Sequence, residues 1–379
     1  MDAVFAIGSN GSGQLGIGHK EDVSVPKQAL FHPAPPSSPV VKVAAGGNHT
    51  LLLCQAGELY WSGDHSTGAC GLGPGLNAPG FQKVRLTRER ERDGEGNNAD
   101  ADADADADGD IGPVALAAAT WQASIIVARD DAGKRTRVFS FGIGTKGELG
   151  LGELIVRSPL AARVSDFPPP GTEVVDLSAC MEHAVAVLDN GDAYGWGNCR
   201  RGQAGAPGAV LHAPRRIEGV GFRVARAVCA KEATCLLGEP ESGSICVLGS
   251  DKWNLRSRAP STVSPWTDVG ASWGNFYVLN KDGSLVAWGR DDHGQLPPPE
   301  LPTLARIAIG SEHVVALSEQ GDVVAWGWGE HGNCGPQVED NIVRGRWNVI
   351  ASSKFIPPGC RINTVGAGCA TSWICIQST

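Results

Sequence analysis

Long apolar runs are missing from this sequence, and no stretch nears the roughly 18 residues that a membrane-spanning helix needs. Helical periodicity is scarce as well. With 51 glycines and 24 prolines in 379 residues, apolar positions rarely recur at i, i+3, i+4 and i+7 over successive turns. The eleven cysteines are odd in number and include no C-x-x-C pair, which argues against a zinc site and against a disulfide framework. They read as small buried hydrophobes in a reducing compartment, with the cytoplasm and also the nucleus as expected locations. Basic clustering is absent too. Of the net charge of −9, residues 85–110 carry six negative charges, four arginines against ten acids, so the body is near neutral. No basic stripe is present to neutralise nucleic-acid phosphates, and direct nucleic-acid binding is not expected. Finally, the chain has no G-x-S-x-G elbow, no H-E-x-x-H and no paired carboxylates at strand ends, so no catalytic residue, metal ligand or cofactor is nominated.

What the sequence does have is glycine in register. Gly11-Ser-Gly-Gln-Leu-Gly16 spells G-x-G-x-x-G after an apolar run, the form of a dinucleotide loop. The mechanism of that loop requires a helix to start there and point its N–H groups at a pyrophosphate. The following Ile17 to Pro26 has β-branched residues, glycine and proline instead. The glycines belong to something larger. An apolar strand followed by G-x-x-x-x-G-x-x-G occurs at Gly8, Gly63, Gly142, Gly197 and Gly327, with degraded copies after Gly249 and Gly289.

A second half-repeat precedes every copy but the first: a strand of small residues, a turn, a polar residue and an apolar strand. Val43-Ala-Ala-Gly-Gly-Asn-His-Thr-Leu-Leu-Leu53 and Ile307-Ala-Ile-Gly-Ser-Glu-His-Val-Val-Ala-Leu317 are two of its seven occurrences. Tight turns such as Asp189-Asn-Gly191 and Lys281-Asp-Gly283 join the halves, as hairpins demand. Each unit therefore predicts a four-stranded antiparallel sheet, and seven units of about 54 residues predict an all-β, single seven-bladed β-propeller over 1–379. The chain opens on a second half and ends on a first half, so its N-terminal strands should complete the last blade and remove a free sheet edge. Insertions are expected at Pro26 to Pro39, in an acidic, disordered segment of about 86–112, and at Gln337 to Pro358. Within the acidic segment Asp104-Ala-Asp-Ala-Asp-Gly109 imitates a calcium loop, but its twelfth position is Ala115.

Recurrent residues read as blade structure: His49, His183 and His313 as buried imidazoles, and Trp61, Trp196, Trp288 and Trp326 as packing between blades. Blade-specific residues are better candidates for function. Trp121 and Trp273 fall in the turn between the first two strands of a blade, while Trp253 and Trp328 follow blade glycines. A tryptophan there either packs locally or anchors a partner.

The G-x-x-H turn and the W-G-x-x-x-x-G-x-L-G strand end resemble the repeats of the regulator of chromosome condensation superfamily over nearly the whole chain. Ala325-Trp-Gly-Trp-Gly-Glu-His-Gly-Asn-Cys-Gly-Pro-Gln337 and Gly368-Cys-Ala-Thr-Ser-Trp-Ile374 are similar, more narrowly, to the alpha-tubulin suppressor group of fungal propellers. That resemblance implies a non-enzymatic regulatory scaffold bound to a small CSL-type zinc protein, supporting diphthamide synthesis and, through Elongator, modification of tRNA wobble uridines. It also implies partner contacts at Asp64 and Trp273, to which Trp121, Trp328, Glu330 and His331 are added. The superfamily allows an alternative: guanine-nucleotide exchange on a Ran-like small GTPase.

Overall fold

The structure, a computed structural model, describes residues 2–71, 79–84 and 111–378. Residues 86–110 of the expected acidic segment lie outside the described residues. Seven antiparallel sheets follow one another along the chain. Blade one comprises Val40–Ala45, His49–Cys54, Leu59–Gly63 and Phe81–Lys83, with Phe31–His32 added in parallel at its outer edge. Blades two and three are Val114–Ala119, Ala123–Ala128, Arg137–Ile143 and Arg157–Arg163, then Val174–Cys180, His183–Leu188, Ala193–Cys199 and Ala209–Arg216. Blade six is Leu304–Ile309, His313–Ser318, Asp322–Trp328 and Ile342–Ser352. Blade seven joins Cys360–Ala367 and Thr371–Ser378 to Ala3–Gly8 and Val23–Gln28, so the ring closes between the two ends of the chain.

Two expectations need correction. Blade four (Arg226–Cys229, Ala233–Leu237, Ile245–Gly249) and blade five (Trp266–Ala271, Asn275–Asn280, Leu285–Gly289) have three strands, not four. After Gly249 the chain makes a 3-10 turn, and after Gly289 it meets Pro297, Pro298, Pro299 and Pro302, which have no N–H to give to a ladder. These are the blades with degraded glycine patterns. Conversely, the supposed insertion at 337–358 contains the eleven-residue outer strand Ile342–Ser352 of blade six, and Pro26 sits within an outer strand of blade seven, where a missing N–H costs little.

The second strand of each blade is where the core lies. Every residue of His49–Cys54, Ala123–Ala128, His183–Leu188, Asn275–Asn280 and His313–Ser318 is buried, because both faces of these strands meet a neighbouring blade. That explains their continuous apolar runs, which carry no alternation. The recurrent histidines stitch these strands together. His49 Nε2 lies 3.1 Å from Ser124 Oγ, His183 Nε2 3.0 Å from Thr234 Oγ1, and His313 Nε2 2.9 Å from Ser372 Oγ, each hydroxyl being in the next blade. Ser124 and Ser372 give their protons to the carbonyls of Ala69 and Asn333, so the imidazole donates to them. Each imidazole thus binds a side chain of the following blade. The tryptophans do pack between blades: Trp196, Trp288 and Trp326 donate Nε1–H to the carbonyls of Glu148, Leu255 and Gln295 of the preceding blade.

Within a blade the chain rises along the innermost strand, turns, descends the second and rises again along the third. The first turn and the loop after the third strand therefore emerge on one face of the disc, the turn face, and the intervening hairpins on the other, the hairpin face. A glycine at or near the end of each third strand has positive φ, Gly197 at 96° for example, and a Cβ there would stand 2.3 Å from the carbonyl oxygen of Glu182 in the first turn. The next amide, Asn198 N–H, donates to that same carbonyl at 2.7 Å. Gly197→Ala should therefore cost about 3 kcal/mol or more, combining a left-handed conformation with a steric clash; a urea titration within 1 kcal/mol of wild type would contradict this.

Candidate partner-binding face

The first turns meet near the axis and are knitted to one another. Gly47 N–H donates to Trp121 O, Trp121 N–H to Met181 O, Lys231 N–H to Trp273 O, Trp273 N–H to Ser311 O, and Ser311 N–H to Gly368 O, at 2.7–3.1 Å. Over this ring of amides the indoles of Trp121 (blade two) and Trp273 (blade five) reach across the axis and touch, with centroids 6.0 Å apart and planes at 50°. Trp121 is seated on Gly47, where any Cβ would be 2.6 Å from its ring, and Lys231 Nζ stands 5.3 Å from the Trp273 ring. Both indoles are half-buried. Local packing and surface presentation, alternatives at the level of sequence, are therefore combined in one pair that covers the turn-face end of the central channel.

Toward the rim of blades five to seven lies a polar network. Arg290 pairs with Glu312 and, at 2.5 Å, with Asp292, while His293 Nδ1 is 3.0 Å from Glu312 Oε2. The His293 ring meets Trp328 edge-on at a centroid distance of 3.7 Å, and Trp328 Nε1–H donates to Glu330 Oε2 at 3.1 Å. His331 Nδ1 lies 2.7 Å from Asp22 Oδ2 of blade seven. Asp64, in blade one next to blade seven, is half-exposed. Burial works against its ionisation, yet the amide and hydroxyl of Ser66, with His65 and Lys20 nearby, hold its carboxyl below the usual range.

All six nominated residues, Asp64, Trp121, Trp273, Trp328, Glu330 and His331, thus stand on first turns or third-strand loops and open on the turn face. Trp121 meets Trp273, and Trp328 meets Glu330; Asp64 makes its contacts within its own loop and turn. One further residue belongs with them. Trp253 adopts φ 58°, a left-handed conformation unusual for a bulky residue, and its ring covers Gly274 beside Trp273, where a Cβ would be 2.8 Å away. Lys252 Nζ and the Arg290 guanidinium lie 4.3 and 5.3 Å from that ring. Its place after a degraded blade glycine marked it, but nothing in the sequence shows that its backbone turns left-handed to reach the axis. Among the described residues no group of three His, Cys, Asp or Glu is arranged to hold a metal ion, no disulfide joins the cysteines, and no helix is long and apolar enough to cross a membrane.

Seven sheets pinned by the same turn-to-glycine contact, with a histidine bridge in three of them, define a seven-bladed β-propeller. Residues 2–53, in blades seven and one, and residues 305–333, in blade six, match the Regulator of chromosome condensation (RCC1) repeat. The chain is similar to an RCC1 repeat-containing protein of Schizosaccharomyces pombe, 29% identical over 99% of each chain. A secretion-regulating guanine nucleotide exchange factor of Mus musculus is 26% identical over 97% of this chain and 82% of that protein. Among solved structures, Prp20p of Saccharomyces cerevisiae superposes with a TM-score of 0.75 at 19% identity, over 100% of this chain and 92% of that one.

Proposed function

We propose that this chain acts by binding and not by catalysis: it is a regulatory scaffold whose turn face takes a protein partner. The observation that carries the reading is the placement of six blade-specific residues on one face, around a tryptophan pair fixed at the axis by the ring of turn amides. Half-buried tryptophans held rigid by their surroundings, beside arginine and paired charge, have the composition of an interaction hot spot. The partner proposed is a small CSL-type zinc-binding protein, and the process served is diphthamide synthesis together with Elongator-dependent tRNA wobble modification. Support for this finer part is the resemblance carried by residues 325–337 and 368–374.

Affinity isolation should recover a one-to-one complex with such a partner. Trp273→Ala should weaken it by about tenfold or more, and Asp64→Lys should weaken it as well, with the far-ultraviolet circular dichroism of both variants unchanged. A complex of undiminished affinity in both folded variants would remove these residues from the interface; the absence of any complex would remove the partner.

A second reading, nucleotide exchange on a Ran-like GTPase, is favoured by the full-length similarity to a guanine nucleotide exchange factor. Acceleration of nucleotide release from such a GTPase by the purified chain would establish it in place of the first.

A further inference from the structure

The innermost strands enclose a channel of about 340 Å³, walled chiefly by alanine, glycine and serine. At the turn face it ends under the Trp121–Trp273 pair. Near the hairpin face its lining becomes charged, because one equivalent position at the start of the inner strand lines the channel in six of the seven blades. That position holds Lys42, Asp176, Arg226, Asp268, Arg306 and Thr364 in blades one, three, four, five, six and seven.

The ring divides into two unlike arcs. In blades three to five, Arg226 lies between two carboxylates, its Nε 3.3 Å from Asp176 Oδ1 and its Nη2 3.8 Å from Asp268 Oδ1. Backbone amides of Ala227 and Val269 donate to the same two carboxylates at 2.9 Å. This arc is supplied with counter-charge from within. In blades six, seven and one, Arg306 and Lys42 flank Thr364, and among the described residues neither cation has an ion pair or hydrogen bond. Both side chains are exposed to the open lumen; desolvation by the surrounding walls, and then Arg226, push the Lys42 ammonium below the usual lysine range, with Asp268 and Asp176 working the other way. Two cations with a hydroxyl between them, in a recess closed at its far end, form a receptor with donors on three sides, the channel's two carboxylates being engaged by Arg226 and backbone amides.

We infer that the arc Arg306–Thr364–Lys42 is a binding site for a small oxyanion of the phosphate class. A guanidinium fork can take two oxygens of a tetrahedral anion, while the ammonium and the hydroxyl serve the others. The lumen admits a phosphate group and a short organic ester tail, and its position inside the ring excludes a flat macromolecular surface. The inference does not depend on what binds the turn face.

Isothermal titration of the full chain at low ionic strength, in chloride buffer, tests it with two probes, inorganic phosphate and glycerol 3-phosphate. One site is expected. Lys42→Met and Arg306→Gln should each lower the affinity about tenfold, and the pair of substitutions should abolish binding, as expected for lost charge-assisted bonds. Thr364→Val and Arg306→Lys, which change little volume, should lower it less and serve if the first variants fail to fold. Lys281→Met, which removes a surface pair with Glu241, should change nothing. Binding of phosphate alone assigns the free ion, and binding of both probes assigns a phosphate monoester. No binding of either probe to the unaltered chain, or full binding by the folded double variant, would overturn the inference.

Discussion

Removal of residues 1–18 is expected to unfold the entire propeller, not to shorten it by one strand. Ala3–Gly8 is the third strand of blade seven, paired along its length with Thr371–Ile376 on one side and with Val23–Gln28 on the other. It carries Val4, Ala6 and Ile7, exposed by 4% or less, and Leu15, fully buried beyond it. Ile7 belongs to the core shared with blade six, while Val4 and Leu15 belong to the core shared with blade one. Losing three large aliphatic side chains at about 2 kcal/mol each, with two ladders of hydrogen bonds, approaches the whole stability of a typical domain, about 5–15 kcal/mol. The truncated chain should show no cooperative thermal transition and rapid proteolysis. A folded truncation that had merely lost a ligand would restore the nucleotide-loop reading of Gly11 to Gly16.

The second large effect is acid instability. His49, His183 and His313 are each pushed down to about 4 from the ordinary 6.5 by burial. The unfolded chain takes up three protons as the pH falls below 6.5, while the folded chain refuses them until about 4. Their contribution is therefore complete above pH 6.5 and is lost progressively between 6.5 and 4. Each histidine accounts for about 3 kcal/mol across that window, so the three together rival the folding free energy. Urea midpoints measured from pH 7.5 to 4.5 should fall steeply in the lower half of the range, and His183→Gln should remove about a third of the slope. A flat profile down to pH 4.5 would show that the imidazoles are protonated in the fold.

The propeller was readable in the sequence because the residues that set it are backbone requirements. A glycine at Gly8 or Gly197 is fixed by a carbonyl oxygen 2.2–2.3 Å from where a Cβ would be, so the signal survives in most blades. Strand count was less readable. Blades four and five lose their outer strands, and Ile342–Ser352 reads as an insertion because Arg344, Gly345, Arg346 and Asn348 interrupt its apolar residues. The candidate face was legible as a set of odd tryptophans but not as a structure. The contact between Trp121 and Trp273 joins residues 152 positions apart, and only the curvature of the ring brings them together. The charged arc of the channel had a faint signal: Lys42, Asp176, Arg226, Asp268 and Arg306 each stand one residue before the small-residue strand. Which of these pair and which do not depends on the order of blades around the axis.

The closing blade has a mechanical corollary. Ala3 lies opposite Ile376, so the first strand and the last run antiparallel, with the ends of the chain emerging side by side at one corner of the disc. A force applied between those ends would load the hydrogen bonds one after another, as in a zipper, and not all at once, as in shear. The joint that makes the ring hard to melt is for that reason easy to peel, and tension on the termini should open this propeller far below the load needed to pull apart any other blade.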